Sequence, residues 1–170
     1  MDTKIVPKCC LMAMSLLDHG VATSTVRSRE APACRPGKVK AGQTSGALVS
    51  QIDFFRSFNS LVGARLPQGS APDSQDQIKT LLGEDTVGRD YVLELSWNHV
   101  LSARTKKWKY IEPNDGPKMI TWGPKIETAN CPSPQLYDIS SSKWESDNVA
   151  EKNPQVVYDM QNILRRERQK

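Results

Sequence analysis

The sequence has very few side chains of the kinds that build a metal centre. It contains two histidines, His19 and His99, and four cysteines, Cys9, Cys10, Cys34 and Cys131. No two cysteines form a Cys-x-x-Cys pair, so these residues do not offer the ligand spacing of a zinc site. A disulfide between Cys34 and Cys131 would need an oxidising compartment, and the sequence does not decide it. We therefore expect no metal ion and no cofactor in this chain.

Long apolar stretches are also missing. No run of about 20 apolar residues is present, so we expect no membrane-spanning helix and no membrane partner. Near the N-terminus, a short apolar run from Cys9 to Leu17 follows Lys8, but no small-x-small cleavage site comes directly after it. This is not a convincing signal peptide, and the location of the protein stays open.

Apolar residues make up 38% of the 170 residues, below the usual share of about 45–50%. The length can still hold one domain with a core, whereas 10 glycines and 11 prolines predict long irregular stretches. The net charge is only +4, and part of the basic excess lies between Arg165 and Lys170. The C-terminal end of a helix favours such cations because the helix dipole is negative there. Since interleaved aromatic residues and a recognition motif are missing, we expect no nucleic-acid partner.

The first half of the chain contains one strong apolar pattern. Between Gln43 and Gly63, apolar residues recur at the spacing of one helix face, which predicts a helix that Gly63 ends. These residues are Leu48, Ile52, Phe55 and Val62. Phe54, Phe55 and Phe58 could form an aromatic binding patch, but we expect them in the hydrophobic core.

The second half predicts a small sheet and a helix. Strand-like stretches run from Tyr91 to Leu95, Val100 to Thr105, Trp108 to Glu112 and Leu136 to Ile139. Asn153 caps a final helix that Pro154 opens. We predict an α+β fold: a small antiparallel sheet of three or four strands packed against this C-terminal helix, preceded by one or two helices and an irregular N-terminus.

Two segments rich in turn-forming residues separate these elements. The first, from Leu66 to Asp73, is a Pro/Gly/Ser-rich linker that leads into a short helix from Ser74 to Leu82. The second is an irregular segment of 22 residues with five prolines, from Pro113 to Pro134. Loops of this length are usually functional or disordered, so this segment is a candidate for a binding role.

Several motifs follow one another in a fixed order. They are R-P-G-K-V-K-A-G at 35–42, L-V-S-Q-I-D-F-F-R-S-F at 48–58, R-T-K-K-W-K-Y-I at 104–111, Q-L-Y-D at 135–138, and Glu145 followed by Asn148-Val149-Ala150. Together they resemble the C-terminal part of bacterial sulfatases of the arylsulfatase type, within the alkaline-phosphatase-like superfamily. The resemblance covers residues 35–170. It implies a joining region of helix and linker at 35–90 and the sulfatase C-terminal subdomain at 91–170.

The resemblance implies hydrolysis of sulfate esters as the parent reaction. Sulfatases of this family use a cysteine in a Cys-x-Pro/Ala-x-Arg context, oxidised to formylglycine, and a calcium ion on Asp and Asn ligands. Cys34 lies in C-R-P-G-K, with lysine in place of that arginine, and no arginine follows Cys131. The nucleophile and calcium ligands belong to an N-terminal catalytic domain that this chain lacks, so we expect a fragment without activity of its own. The parent enzymes are usually exported.

Residues 1–34 match no sulfatase motif in the frame as read. Codons for Leu17 to Cys34 can be chosen so that a shifted frame reads G-P-W-R-G-N-K-Y-S-T-L-E-G-G-T-R-V, which resembles the family segment before R-W-P-G-K-V. We interpret 1–34 as an irregular segment produced by off-frame translation; the alternative is an ordinary divergent tail. In the family, the lysine of that K-Y-S segment lies close to the sulfate, whereas this chain reads Thr23-Ser24-Thr25.

The resemblance also indicates where a substrate would be held. In sulfatases the C-terminal subdomain adjoins the active-site mouth, so Lys118, Trp122 and Lys125 of the long irregular segment suit a sulfated aryl or sugar ring. His99 is a fourth candidate. The alternatives are a solvated loop with one anchoring tryptophan and an ordinary strand-end histidine. As a whole, the chain could instead be a non-catalytic binding module for an anionic partner.

Overall fold

The computed structural model describes residues 12–17, 29–33, 39–40, 42–96, 99–121, 126–128, 130–140, 145 and 147–170. Of these, residues 12–16 and 29–88 belong to a first unit, and residue 17 and residues 89–170 to a second. None of the helices in the described ranges is long and apolar enough to cross a membrane.

The first unit contains a three-stranded sheet in the order β2-β1-β3. β1 is Met12–Leu17, β2 is Arg29–Ala33 and β3 is Thr44–Ser50. β1 and β2 run antiparallel, with Met12 opposite Ala33. The sequence predicts an irregular segment over 1–34, and these two strands are elements that its residue pattern did not indicate.

The prediction of one helix from Gln43 to Gly63 is wrong in its first part. β3 occupies Thr44–Ser50, and helix α1 begins only at Asp53 and ends at Leu61. Residues 47–50 are all at most 2% exposed, as in a strand that is covered on both faces. A buried strand followed by an amphipathic helix gave apolar residues at positions that fit one continuous helix.

Helix α1 turns its polar side inward. Asp53 and Ser57, one turn apart, are fully buried, whereas Phe55 and Phe58 are 52% and 51% exposed. The expectation that all three phenylalanines lie in the core is therefore wrong for two of them. Only Phe54 packs against the buried apolar cluster of this unit.

Hydrogen bonds keep the polar side of α1 facing the interior of the unit. The Asp53 carboxylate accepts hydrogen bonds from the backbone N–H of Ser50 at 3.0 Å and of Gln75 at 2.8 Å. The Ser57 hydroxyl donates to the Asp53 carbonyl oxygen and accepts from the Gln77 N–H, at 2.7 and 2.8 Å. These bonds satisfy buried groups that would otherwise cost about 1–3 kcal/mol each, and they fix the rotation of α1.

Residues 74–88 complete the first unit. Helix α2, Ile78–Leu81, confirms the predicted short helix, although it begins four residues later than the predicted start at Ser74. Leu81 lies in one buried cluster with Val39 and Val49. Gly88 passes so close to β3 that a Cβ there would lie 2.3 Å from the Leu48 carbonyl oxygen, so only glycine fits without a shift.

The second unit is built on a four-stranded antiparallel sheet. β4 is Val92–Leu95, β5 is Leu101–Arg104 and β6 is Trp108–Ile111. A small hairpin of β7, Met119–Ile120, and β8, Ile126–Glu127, comes next, and β9 is Gln135–Asp138. The large sheet has the order β4-β5-β6-β9. All four strands of this sheet lie within one residue of the predicted bounds.

Helix α3, Pro154–Arg168, packs on one face of this sheet. Ala103, Tyr110 and Leu136 lie side by side across β5, β6 and β9. They share one buried cluster with Met160 and Leu164 of α3. Gln161 of α3 also donates a hydrogen bond to the Tyr110 hydroxyl at 3.2 Å. This arrangement confirms the predicted α+β fold of an antiparallel sheet against a C-terminal helix.

Candidate functional site

The sheet face opposite α3 holds a buried cluster of charges, which we call the ion cluster: Glu94, Arg104, Lys109 and Glu145. The Lys109 ammonium lies 3.2 Å from a Glu94 carboxylate oxygen and 2.7 Å from one of Glu145. The three side chains are 4%, 12% and 9% exposed, respectively. An isolated charge at such depth would be costly, and each acid is here balanced by a cation.

Arg104 completes the cluster from the neighbouring strand, where it lies opposite Lys109 in the register of β5 and β6. Burial lowers the pKa of Arg104, against the attraction of Glu94 and Glu145. Burial likewise raises the pKa of Glu145, against the attraction of Lys109. Two carboxylates and two cations thus balance in charge within the cluster, which suits a structural brace.

Asn148 fastens the chain that follows Glu145 to the edge of the sheet. Its side-chain oxygen accepts hydrogen bonds from the N–H groups of Leu136 and Ala150, both at 3.0 Å. Its amide nitrogen donates to the Pro134 carbonyl oxygen at 3.1 Å. The residues of the sequence signature, Arg104, Lys109, Glu145 and Asn148, therefore have structural roles in the described part of the chain.

Two connections leave the sheet at the same end. Because β4, β5 and β6 are antiparallel neighbours, the β4–β5 connection and the chain after β6 emerge together. Glu112 lies between them: its carboxylate accepts a hydrogen bond from the Leu101 N–H at 3.1 Å and pairs with Arg168 at 2.6 Å. This end therefore carries His99 and the described residues of the segment 113–134.

In its described residues, the segment from Pro113 to Pro134 contains a short hairpin that the sequence does not predict. β7 and β8 pair antiparallel, with Met119 opposite Glu127. Below this hairpin, the Thr128 hydroxyl and the Asn130 amide both donate to the Pro117 carbonyl oxygen. A Cβ on Gly116 would lie 2.3 Å from the Asn130 amide nitrogen, so a larger residue there would displace the Asn130 side chain. The prediction of an irregular segment is wrong here, since local polar side chains organise its base.

Of the four predicted substrate-binding residues, Lys118 and His99 lie within the described ranges. Lys118 is exposed beside β7, and its carbonyl oxygen accepts a hydrogen bond from the Thr128 N–H at 3.0 Å. His99 is exposed in the β4–β5 connection, where it has a left-handed φ of 64°. Topology brings both to one end of the sheet. Trp122 and Lys125 lie outside the described residues, in the sequence between β7 and β8.

Cys131 lies at the base of the same hairpin. Its sulfur is 3.2 Å from the Ser133 hydroxyl oxygen, and this hydrogen bonding lowers the pKa of the thiol, helped by the charge of Lys118. Cys131 is followed by Pro132-Ser133-Pro134, without the arginine of a sulfatase nucleophile motif. The described residues contain no group of three or more His, Cys, Asp or Glu that could hold a metal ion. They therefore do not fit the calcium and formylglycine of the parent family.

A scan against protein-family models finds no match. The chain is 43% identical over 129 residues to N-acetylgalactosamine-6-O-sulfatase of Bacteroides thetaiotaomicron, covering 76% of this chain and 25% of that protein. It is 28% identical over 139 residues to human arylsulfatase K, covering 76% and 23%. The chain thus spans about a quarter of the length of the curated relatives it matches.

Solved structures of sulfatases also match this chain over about a quarter of their length. A protein described as 6S-sulf, from a glycosaminoglycan-metabolism locus of Bacteroides thetaiotaomicron, superposes with a TM-score of 0.74 at 41% identity, over 79% of this chain and 28% of that one. A protein solved with its substrate D-glucosamine-2-N,6-O-disulfate superposes with a TM-score of 0.60 at 18% identity, over 80% and 27%. At that identity the second match supports the fold alone.

Lys109→Met should strongly destabilise the second unit. It leaves the Glu94 and Glu145 carboxylates buried without their ammonium partner, a change that costs about 3–5 kcal/mol for a broken buried ion pair. Lys107→Met is the matched control, because Lys107 is 57% exposed and its nearest carboxylate oxygen, on Asp138, is 4.0 Å away. The control should cost less than about 1 kcal/mol. Urea unfolding followed by circular dichroism measures both, and equal losses would contradict the role of the ion cluster.

Glu145→Gln should change the pH dependence of stability. A carboxyl group whose folded-state pKa is raised contributes stability that is complete below its unfolded pKa of about 4.3 and is lost as pH rises through the folded value. Glutamine does not titrate, so the variant should gain stability relative to wild type as pH rises above about 4. Lys109 keeps Glu94 as its partner in the variant. Thermal melts between pH 4 and 8 test this, and a stability difference that stays constant over that range would exclude it.

Proposed function

This chain is homologous to the C-terminal part of sulfatases of the arylsulfatase type, and on that premise we propose that it is a sulfatase subdomain without hydrolase activity of its own. The observation that carries the proposal is the role of its signature residues. Lys109 and Glu145 pair at 2.7 Å in the ion cluster, and Arg104 lies opposite Lys109 on the neighbouring strand, so these residues brace the subdomain.

Sulfate-ester hydrolysis needs groups that the sequence does not supply. A nucleophile must attack sulfur, and a metal ion or fixed cations must stabilise the developing charge. The nearest matches to the nucleophile motif are C-R-P-G-K at Cys34 and C-P-S-P at Cys131, and neither has the required arginine. Cys34 lies outside the described residues, as do the positions that replace the K-Y-S lysine. The sulfate-ester hydrolase reaction itself belongs to the parent enzyme.

The end of the sheet that gathers His99 and the segment 113–134 would then form one wall of the parent's substrate pocket. Lys118 is exposed there, free to meet a sulfate group, and Trp122 and Lys125 are close to it in sequence. One relative, N-acetylgalactosamine-6-O-sulfatase, is named for a sulfated sugar. A sulfated sugar, or a sulfated aryl compound, is therefore the class of substrate for which these residues are suited.

The boundaries proposed from sequence are 1–34, 35–90 and 91–170. Off-frame translation of 1–34 is testable in the gene. The genomic DNA should encode G-P-W-R-G-N-K-Y-S in the shifted frame before the codon of Cys34, with a sulfatase core upstream. Stop codons in that frame would contradict it.

The alternative, a binding module that captures anions with its basic helix, has less support. Arg168 pairs with Glu112 at 2.6 Å, and Lys170 pairs with Glu167 at 2.7 Å. Arg166 lies over the Tyr91 ring at 5.5 Å, and Arg165 donates to the Asn162 side chain at 2.8 Å. The cations of the tail are thus engaged within the second unit, which lowers their availability for a partner.

The purified chain should not release 4-nitrophenol from 4-nitrophenyl sulfate above background, with or without calcium. The missing nucleophile and metal site must together supply most of the roughly 8–23 kcal/mol by which enzymes lower barriers. The relative from Bacteroides thetaiotaomicron serves as the positive control. Turnover by the purified chain would overturn the proposal; its loss in Cys34→Ala or Cys131→Ala would then identify the nucleophile.

The proposed pocket wall should bind a sulfated sugar weakly. N-acetylgalactosamine 6-sulfate should quench tryptophan fluorescence, and the quench should disappear in Trp122→Phe. Lys118→Gln should weaken binding about two- to fivefold, the range of one exposed ion pair. Lys107→Gln, an exposed lysine at the other end of the sheet, is the matched control and should leave affinity unchanged. Equal quenching by unsulfated N-acetylgalactosamine would exclude sulfate recognition.

A further inference from the structure

Helix α1 has an amphipathic pattern that is reversed relative to its own unit. Its buried positions are Asp53 and Ser57, both fully inaccessible. Away from that side, α1 and its two capping residues expose large apolar residues, which we call the outer face of α1: Ile52, Phe55, Phe58 and Val62. Phe55, Phe58 and Val62 follow the i, i+3, i+7 spacing of one helix stripe. A surface helix normally turns such a stripe toward the core.

Rotation of α1 cannot correct this arrangement. The bonds from Asp53 to Ser50 and Gln75, and from Ser57 to Gln77, are directional and lie within the first unit. Turning the phenylalanines inward would leave those buried N–H groups without acceptors. The outer face is therefore a preformed apolar surface, with Phe58 also stacked on the half-buried Phe54 at 5.3 Å between ring centroids.

Contiguous apolar surfaces of this kind mark interaction sites, and the relatives indicate the occupant. The sulfatases that match this chain are about four times as long as the part it covers, with 25% and 28% coverage for the two relatives above 40% identity. The stretch that forms the end of β3 and most of α1, residues 48–58, belongs to the resemblance. In a complete sulfatase, the other three quarters of the protein would therefore be available to cover this helix.

We propose that the outer face of α1 is the docking surface for the remaining part of a sulfatase fold, through an apolar surface on that part. This inference rests on the proposed function, because it assumes that the chain is a sulfatase piece. The proposal assigns Phe55 and Phe58 as the central anchors, since buried aromatic side chains dominate interface energetics. It requires no residue of the second unit.

The test compares one double variant in two settings. Phe55→Gln/Phe58→Gln keeps good helix formers on α1 but removes both anchors. In the isolated 170-residue chain, both side chains are half exposed, so the melting temperature should change by less than about 2 °C. The second setting is a fusion in which the full chain follows the remaining three quarters of the Bacteroides thetaiotaomicron N-acetylgalactosamine-6-O-sulfatase. Without the substitutions, this parent fusion should unfold in one thermal transition. With the double variant, the fusion should unfold in two transitions.

Tyr158→Ser is the matched control, because Tyr158 is an aromatic residue of α3 that is 53% exposed. It should leave both settings unchanged. Three results would overturn the proposal: a parent fusion that already unfolds in two transitions, an equal effect of the double variant in both settings, or an equal effect of Tyr158→Ser in the fusion. The sulfatase assay of the isolated chain decides the proposed function separately, whatever the melting curves show.

Discussion

The second unit depends on one buried interaction, the Lys109 ammonium held between Glu94 and Glu145. Lys109 is on the central strand β6, Glu94 on β4 and Glu145 in the chain after β9, so the ammonium connects both edges of the sheet. The contact with Glu145 joins residues 36 positions apart. Because buried ion pairs must offset the cost of desolvation, they tolerate little displacement. The apolar packing of α3 covers one face of the sheet. On the other face, the ion cluster holds the strands in their register.

This constraint explains how a sequence can identify a family without showing its catalysis. The motif R-T-K-K-W-K-Y-I and the later Glu145 and Asn148 are specific because several long-range contacts must form together. Charge balance, strand register and the hydrogen bonds of Asn148 each demand a defined side chain. A match to them establishes homology to a part of sulfatases, while the chemistry of sulfate transfer needs other residues.

The sequence predicts the second unit better than the first because its signals are local. Alternation marks β4 to β6, and Pro154 marks the start of α3. Two features depend on non-local information and were missed. The pattern through Leu48 and Phe55 fits one helix, yet 44–50 form a strand in which residues 47–50 are buried on both faces. The hairpin β7–β8 has strands of two residues, too short for a period, and depends on Asn130 and Pro117. For the candidate site, the sequence identifies Lys118 and His99. It does not predict that both lie at the same end of the sheet.

The wrong prediction for Phe55 and Phe58 has a physical cause. Hydrophobic residues at helical spacing predict a core, and that inference assumes that the chain supplies both sides of the core. In α1 the inner side is instead fixed by Asp53 and Ser57, so the apolar side is held outward in one orientation. A preformed face loses little conformational entropy when it binds, which favours association over a loop that must first be ordered. The pattern is thus wrong about the core of this chain, and on the docking proposal it marks a face that the remaining part of a sulfatase covers.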